Sequence, residues 1–131
     1  MSHLLLHEHL IVRAEVKNPP TCVKAMDEWM INAVDKIGMK ILMGPYSIYS
    51  DMIGNRGLTS AVILSTSHFV VHTFDEVSPA LFELDVYSCS TLDIEIIFDL
   101  MRQFIPTSIE YKFIDRADTI KVLSSGHKIF S

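Results

Sequence analysis

Gly57-Leu58-Thr59-Ser60-Ala61-Val62-Ile63-Leu64-Ser65-Thr66-Ser67-His68-Phe69-Val70-Val71-His72-Thr73-Phe74 is the stretch whose reading decides the fold. Residues 59–65 and 68–74 alternate and are rich in β-branched and aromatic side chains, so they predict two strands of a hairpin with Thr66-Ser67 near its tip. Side chains point to opposite faces at successive strand positions, so on one unbroken strand Ser67 and His72 would face apart. Chemistry that joins them therefore needs a turn or bulge at Ser67.

Outward from the hairpin the chain divides into strand and helix blocks. Residues 4–16 mix Leu, Ile, Val and His in a strand-like run that Lys17-Asn18-Pro19-Pro20 stops. A helix follows to about Ile37, with Val23, Met26, Met30, Ala33, Val34 and Ile37 on one face and Gly38 placed to end it. Met39 to Met43 reads as a strand broken by Gly44-Pro45, and Tyr46 to Arg56 as a long loop or an extended strand with a turn. Leu81 to Ser88 gives another strand. Ser90 can cap a second helix whose first turn carries Asp93 and Glu95 and whose buried stripe is Ile94, Ile97, Leu100, Met101 and Phe104. Residues 108–114 form a last strand, and the tail after Arg116 is expected at the periphery. These blocks predict an α+β fold, a two-layer sandwich of an antiparallel β-sheet with two helices packed on one face. A single domain over residues 1–131, with its core at about 4–115, is expected.

At 131 residues, 49% hydrophobic, the chain can bury a core without help from metals or disulfides. A net charge of −5 argues against nucleic acid as a partner, since phosphate binding rests on clustered lysine and arginine. No apolar run approaches a membrane span, and Met1-Ser2-His3-Leu4-Leu5-Leu6-His7-Glu8 lacks the pattern of a secretory signal, so a cytoplasmic location is expected. Cys22 and Cys89 lack metal-ligand spacing and are expected as reduced thiols. No metal site is expected. His7 and His9 would share a strand face, but the neighbouring Glu8 would point the other way, and surface or edge-strand histidines are the better reading. Met26, Met30, Met39 and Met43 read as core filling.

Ser67, His72 and Cys89 are the candidates for chemistry. A serine hydroxyl that reaches the preceding carbonyl can turn the amide into an ester, which a base then eliminates by taking the α-proton. The dehydroalanine left behind hydrolyses to a ketone, an electrophile that forms a Schiff base with an amine and acts as an electron sink. The bond at risk is Thr66–Ser67, which would yield fragments 1–66 and 67–131. Histidine and cysteine supply groups that titrate near neutrality or can be tuned to do so. No Gly-x-Ser-x-Gly elbow surrounds Ser67, so a hydrolase triad is not indicated.

Leu64-Ser65-Thr66-Ser67-His68-Phe69-Val70-Val71-His72-Thr73-Phe74-Asp75-Glu76, together with Asp85-Val86-Tyr87-Ser88-Cys89, resembles the self-processing site of the prokaryotic-type, pyruvoyl-dependent S-adenosylmethionine decarboxylases. The resemblance covers roughly residues 5–115 and is strongest at 57–98. It implies that Ser67 is the precursor of a pyruvoyl cofactor, that His72 assists processing at Thr66-Ser67, and that Cys89 is the catalytic proton donor. It further implies that Glu76 binds the ribose hydroxyls, that Phe74 stands where a tryptophan stacks on adenine, and that Tyr46 is a second stacking aromatic. The implied function is decarboxylation of S-adenosylmethionine to the aminopropyl donor for spermidine, by a homodimer.

Several positions depart from the family pattern. Thr66 replaces a glutamate, adding a β-branch where the backbone must bend. Ser90 replaces a glycine, at a strain cost if that turn requires positive φ. Phe74-Asp75 replaces Trp-Pro, and the stretch between Glu76 and Asp85 is about two residues longer than usual. Two other readings therefore stay open. One is a pyruvoyl decarboxylase shifted to another substrate such as arginine or ornithine. The other is an unprocessed, non-catalytic relative that acts as a dimerising or regulatory partner. Residue by residue, Cys89 could be a structural thiol, Glu76 a solvated strand end, and Phe74 and Tyr46 core or interface aromatics.

Overall fold

Leu10, Val12, Ala14 and Val16 alternate with His9, Ile11, Arg13 and Glu15, and that alternation buries one face of strand β1 (Glu8–Val16). The structure, a computed structural model, describes residues 6–130; His3 and the first residues of the predicted opening strand, Leu4 and Leu5, lie outside them. Helix α1 (Val23–Lys36) follows the double proline, and Gly38, at φ +77, turns the chain after it. Its buried face holds Met26, Met30, Ala33 and Val34 as the spacing predicts, and also Trp29, while Val23 is exposed.

Strand β2 (Ile41–Ser50) runs on through Gly44-Pro45 where the sequence predicts a break. The ladder absorbs the interruption as register shifts between Ile41 and Tyr46. The hairpin is β3 (Gly57–Leu64) and β4 (Ser67–Phe74), followed by β5 (Ala80–Ser88). Gly57 is required at its place, because a Cβ there would lie 1.8 Å from the Thr73 carbonyl oxygen. Helix α2 (Ile94–Leu100) continues into a 3-10 turn (Met101–Phe104). Its cap is Asp93 and not Ser90: the Asp93 carboxylate accepts from the Glu95 N–H at 3.1 Å, while the Ser90 N–H donates to the Ser88 hydroxyl at 3.0 Å. β6 (Pro106–Asp115) forms where the sequence predicts a last strand, but the peripheral tail adds one more, β7 (Lys121–Ile129), which pairs with β6 as an edge strand.

The strand order is β2-β3-β4-β5-β1-β6-β7, antiparallel at every pairing. Both helices cover one face, the second layer of an α+β sandwich. Trp29 locks them together, with its indole N–H donating to the Leu100 carbonyl at 3.1 Å and its ring 5.2 Å from Phe104. Phe82, from β5, meets the Trp29 ring edge-on and lies tilted against Phe104 at 5.1 Å. The opposite face of the sheet has no covering layer among the described residues. No helix among them is long and apolar enough to cross a membrane.

Phe82→Ala should lower unfolding free energy by about 3–5 kcal/mol, the usual range for deleting a fully buried ring. Urea denaturation reads this directly, and a loss below about 1 kcal/mol would show that the aromatic cluster is not a closed core.

Candidate active site

Ser65 and Thr66 form the two-residue turn between β3 and β4, and Leu64 pairs with Ser67 across its base. Thr66 sits at φ +52, in the left-handed region that β-branched residues avoid, so the carbonyl preceding Ser67 belongs to a strained residue. The turn lies before Ser67, and β4 runs from Ser67 to Phe74 with no register shift, so the bend that would bring Ser67 and His72 onto one face is absent. Ser67 is buried on the helix-covered face, and its hydroxyl oxygen accepts a hydrogen bond from the Cys89 N–H at 3.0 Å.

Cys89 follows β5 and is exposed, and its thiol donates to the Ser65 carbonyl at 3.5 Å. The Thr66 hydroxyl donates to the same carbonyl at 2.7 Å. Hydroxyls of Thr66 and then Ser67 beside the sulfur hold the Cys89 thiol below its ordinary range, against a smaller upward push from burial. Two anchors fix the loop after Cys89. The Ser88 hydroxyl bonds Ser90 in both directions, and the Glu8 carboxylate accepts from the Leu92 N–H at 2.8 Å. Glu8 does point away from His7 and His9, toward this loop, a role no local sequence signal announces. Among the described residues the non-glycine positions at positive φ are Thr66 and Ile105, so Ser90 carries no such strain. Cys22 and Cys89 are both free.

His72 lies elsewhere. It is exposed on the uncovered face, with Nδ1 2.9 Å from the Thr59 hydroxyl oxygen. Five strand positions separate it from Ser67, roughly 16 Å at the usual rise. Phe74, half-buried, ends the same strand, and Glu76 follows it. The Glu76 carboxylate accepts from the N–H groups of Gly54 (2.8 Å) and Arg56 (3.0 Å). The Arg56 and Gly54 amides hold its carboxyl below the usual range. Tyr46 is exposed on β2, on the uncovered face opposite Ala61. The structure therefore gathers Thr66, Ser67 and Cys89 at one end of β4, and Glu76 and Phe74 at the other, with His72 and Tyr46 between.

A second cluster lies on the uncovered face. His9 Nε2 and His68 Nε2 stand 2.7 Å and 2.8 Å from the same Asp85 oxygen. The sequence reading puts His9 on the surface or an edge strand. Its strand β1 is instead interior to the sheet, and its side chain is only 13% exposed. Burial pushes the Asp85 carboxyl up, but hydrogen bonds and charge from His9 and His68 outweigh that and hold it below the usual range. Three such donors within reach of one another resemble a metal set. The Arg116 guanidinium, however, donates to His9 Nδ1 at 3.1 Å, so Nε2 carries the hydrogen and points it at Asp85. A metal on Nε2 would turn Nδ1–H against another donor, the reverse of the usual supporting contact. The cluster is a hydrogen-bond network.

Alkylation of Cys89 by iodoacetamide, in a Cys22→Ser background, should proceed faster at neutral pH than that of an ordinary exposed thiol, because more of it is thiolate there. Thr66→Val removes the largest contribution and should shift the rate profile to higher pH; an unmoved profile would remove the hydroxyl's role.

No individual curated protein matches the chain. The family model for S-adenosylmethionine decarboxylase matches residues 9–117, from the middle of the His9 network in β1 to just past Arg116. By that match over most of its length, and with Ser67, His72 and Cys89 all inside it, the chain belongs to the S-adenosylmethionine decarboxylase family.

Proposed function

We propose that the chain cuts itself between Thr66 and Ser67 and then acts, as a homodimer, as a pyruvoyl-dependent decarboxylase of S-adenosylmethionine, making the aminopropyl donor for spermidine. The observation that carries this reading is Ser67 itself. Its hydroxyl is held at 3.0 Å by the Cys89 N–H, directly after a left-handed threonine. That geometry fits the formation of a pyruvoyl group from the residue.

In the cut, Ser67 Oγ attacks the Thr66 carbonyl carbon; the C–O bond forms, the C–N bond breaks, and the hydroxyl proton passes to nitrogen. A base then takes the Ser67 α-proton and the Cβ–Oγ bond breaks, leaving a carboxylate on Thr66. Water enters and ammonia departs as the ketone forms. Once present, that group supplies an electron sink for loss of carbon dioxide from an amine-bearing substrate. Cys89 Sγ, beside residue 67, holds the proton to be returned to the substrate α-carbon. Glu76, oriented by two backbone N–H groups, keeps lone pairs free for the ribose hydroxyls, and Phe74 and Tyr46 offer apolar faces to the adenine.

One chain cannot bring these groups onto one substrate. Ser67 and Phe74 are seven strand positions apart, roughly 23 Å, and His72 faces away from Ser67. A second copy lying across the uncovered sheet face, with its strands reversed, would bring the partner's His72, the partner's Phe74 and the partner's Glu76 to the Ser67 end of β4, where Thr66 and Cys89 are exposed. The exposed Ile11, Met43, Tyr46, Ile48 and Ile63, all on that face, support such a contact. For the non-catalytic alternative, Ser90 no longer argues, since its turn is unstrained.

Whole-protein mass should show fragments 1–66 and 67–131, and Ser67→Ala a single intact chain. His72→Ala should stay whole alone but be cut when co-expressed with Ser67→Ala, because the mixed dimer rebuilds one site. Cutting of His72→Ala by itself would overturn the shared site, and an uncut wild-type chain the whole reading. Cys89→Ala should still cut while losing at least about 100-fold in carbon dioxide release, the ordinary weight of a general acid. Comparing S-adenosylmethionine with arginine and ornithine settles the substrate.

A further inference from the structure

Self-cleavage, as proposed above, destroys the contacts that hold Ser67. The elimination step breaks its Cβ–Oγ bond, so the oxygen that accepts from the Cys89 N–H at 3.0 Å leaves with Thr66. The turn that joins β4 to β3 is severed in the same event. Residue 67 becomes a chain end, and chain ends fray unless something ties them down.

The next residue is tied. His68 pairs with Tyr87 in the ladder, and its Nε2–H donates to Asp85 Oδ1 at 2.8 Å. The same oxygen accepts from His9 at 2.7 Å. Arg116, which fixes the His9 ring through Nδ1, lies with its guanidinium 4.5 Å from the Tyr87 ring centroid. These anchors come from β5, from β1 and from the segment after β6, none of which the cut touches. The contact is charge-assisted, because Asp85 is held ionised.

We infer that Asp85 is a positioning residue. Through His68 it keeps the newly made end of β4 in register beside Cys89 once the hairpin has been opened. The inference rests on self-cleavage but makes a separate demand: the clamp matters after the cut and not before it.

The experiment measures amide hydrogen exchange at residues 68–70 by mass spectrometry or NMR, in divided wild-type protein and in divided Asp85→Ala and His68→Leu. The same measurement is made in uncut chains carrying Ser67→Ala with and without Asp85→Ala. Asp85→Asn serves instead if the alanine variant does not fold. Asp85→Ala and His68→Leu should divide into the wild-type fragments and lose protection at 68–70 by at least about tenfold, the weight of one hydrogen bond to a charged group. The uncut pair should differ little. In turnover, kcat should fall with KM nearly unchanged, and His68→Gln, which keeps an N–H donor, should recover most of the protection. Protection that survives in divided Asp85→Ala overturns the inference. So does an equal loss in the uncut pair, which would mark a merely structural contact. A wild-type chain that never divides sinks the self-cleavage reading and this inference together, whereas the first two outcomes leave that reading standing.

Discussion

Alternation along β4 is the constraint on which the rest of the structure depends. Ser67, Phe69, Val71 and Thr73 turn toward the helices and are buried, so His68, Val70, His72 and Phe74 turn the other way. The apolar half of that pattern fastens the strand to the core through Phe69, whose ring stands edge-on to Trp29. The polar half lays out titratable groups on a face that the chain itself leaves uncovered. A slip of one residue would exchange the two sets, so the burial that fixes register also fixes which chemical groups meet.

At the Ser67 end, local conformation and electrostatics agree. The turn imposes a left-handed backbone on Thr66, and the hydroxyls that arrive with it lie beside the Cys89 sulfur. Glu8 reaches across from β1 to hold the loop behind the thiol. At the far end of β4, Gly54 adopts φ +95 and its N–H, with that of Arg56, faces the Glu76 carboxylate. Asp75 is held there too, by the Tyr49 hydroxyl at 2.6 Å, a contact that raises the Tyr49 pKa. Each end is built by turns, and the rigid strand between them sets their separation.

Much of the fold was legible because its signals are local. Period-two runs marked the strands as far as β6, the double proline and Gly38 bracketed α1, and the polar residues 66–67 marked the hairpin tip one position past the Ser65-Thr66 turn that forms. The readings that shifted depended on hydrogen-bond and packing partners that the residue pattern does not name. β2 crosses Gly44-Pro45 because β3 can absorb a bulge, and Asp93 caps α2 because Ser90 is taken up by Ser88. Trp29 joined the core through Leu100 and Phe104, far along the chain. For the site, the family resemblance singled out Ser67 and Cys89, which the fold brings together across 22 positions. The period-two rule already separated His72 from Ser67. The His9, His68 and Asp85 network was invisible, since strand order alone makes β1 a neighbour of β5.

The two rims of the sheet share a property. β2 carries a proline and a kinked ladder, and β7 carries Lys121 and Lys128 with Gly126 between them. Irregular backbone on one side and cationic side chains on the other are poor templates for adding a further strand. Lateral growth into a longer sheet or a fibre is thereby discouraged at both borders, and the broad uncovered face is left as the surface on which another sheet could lie.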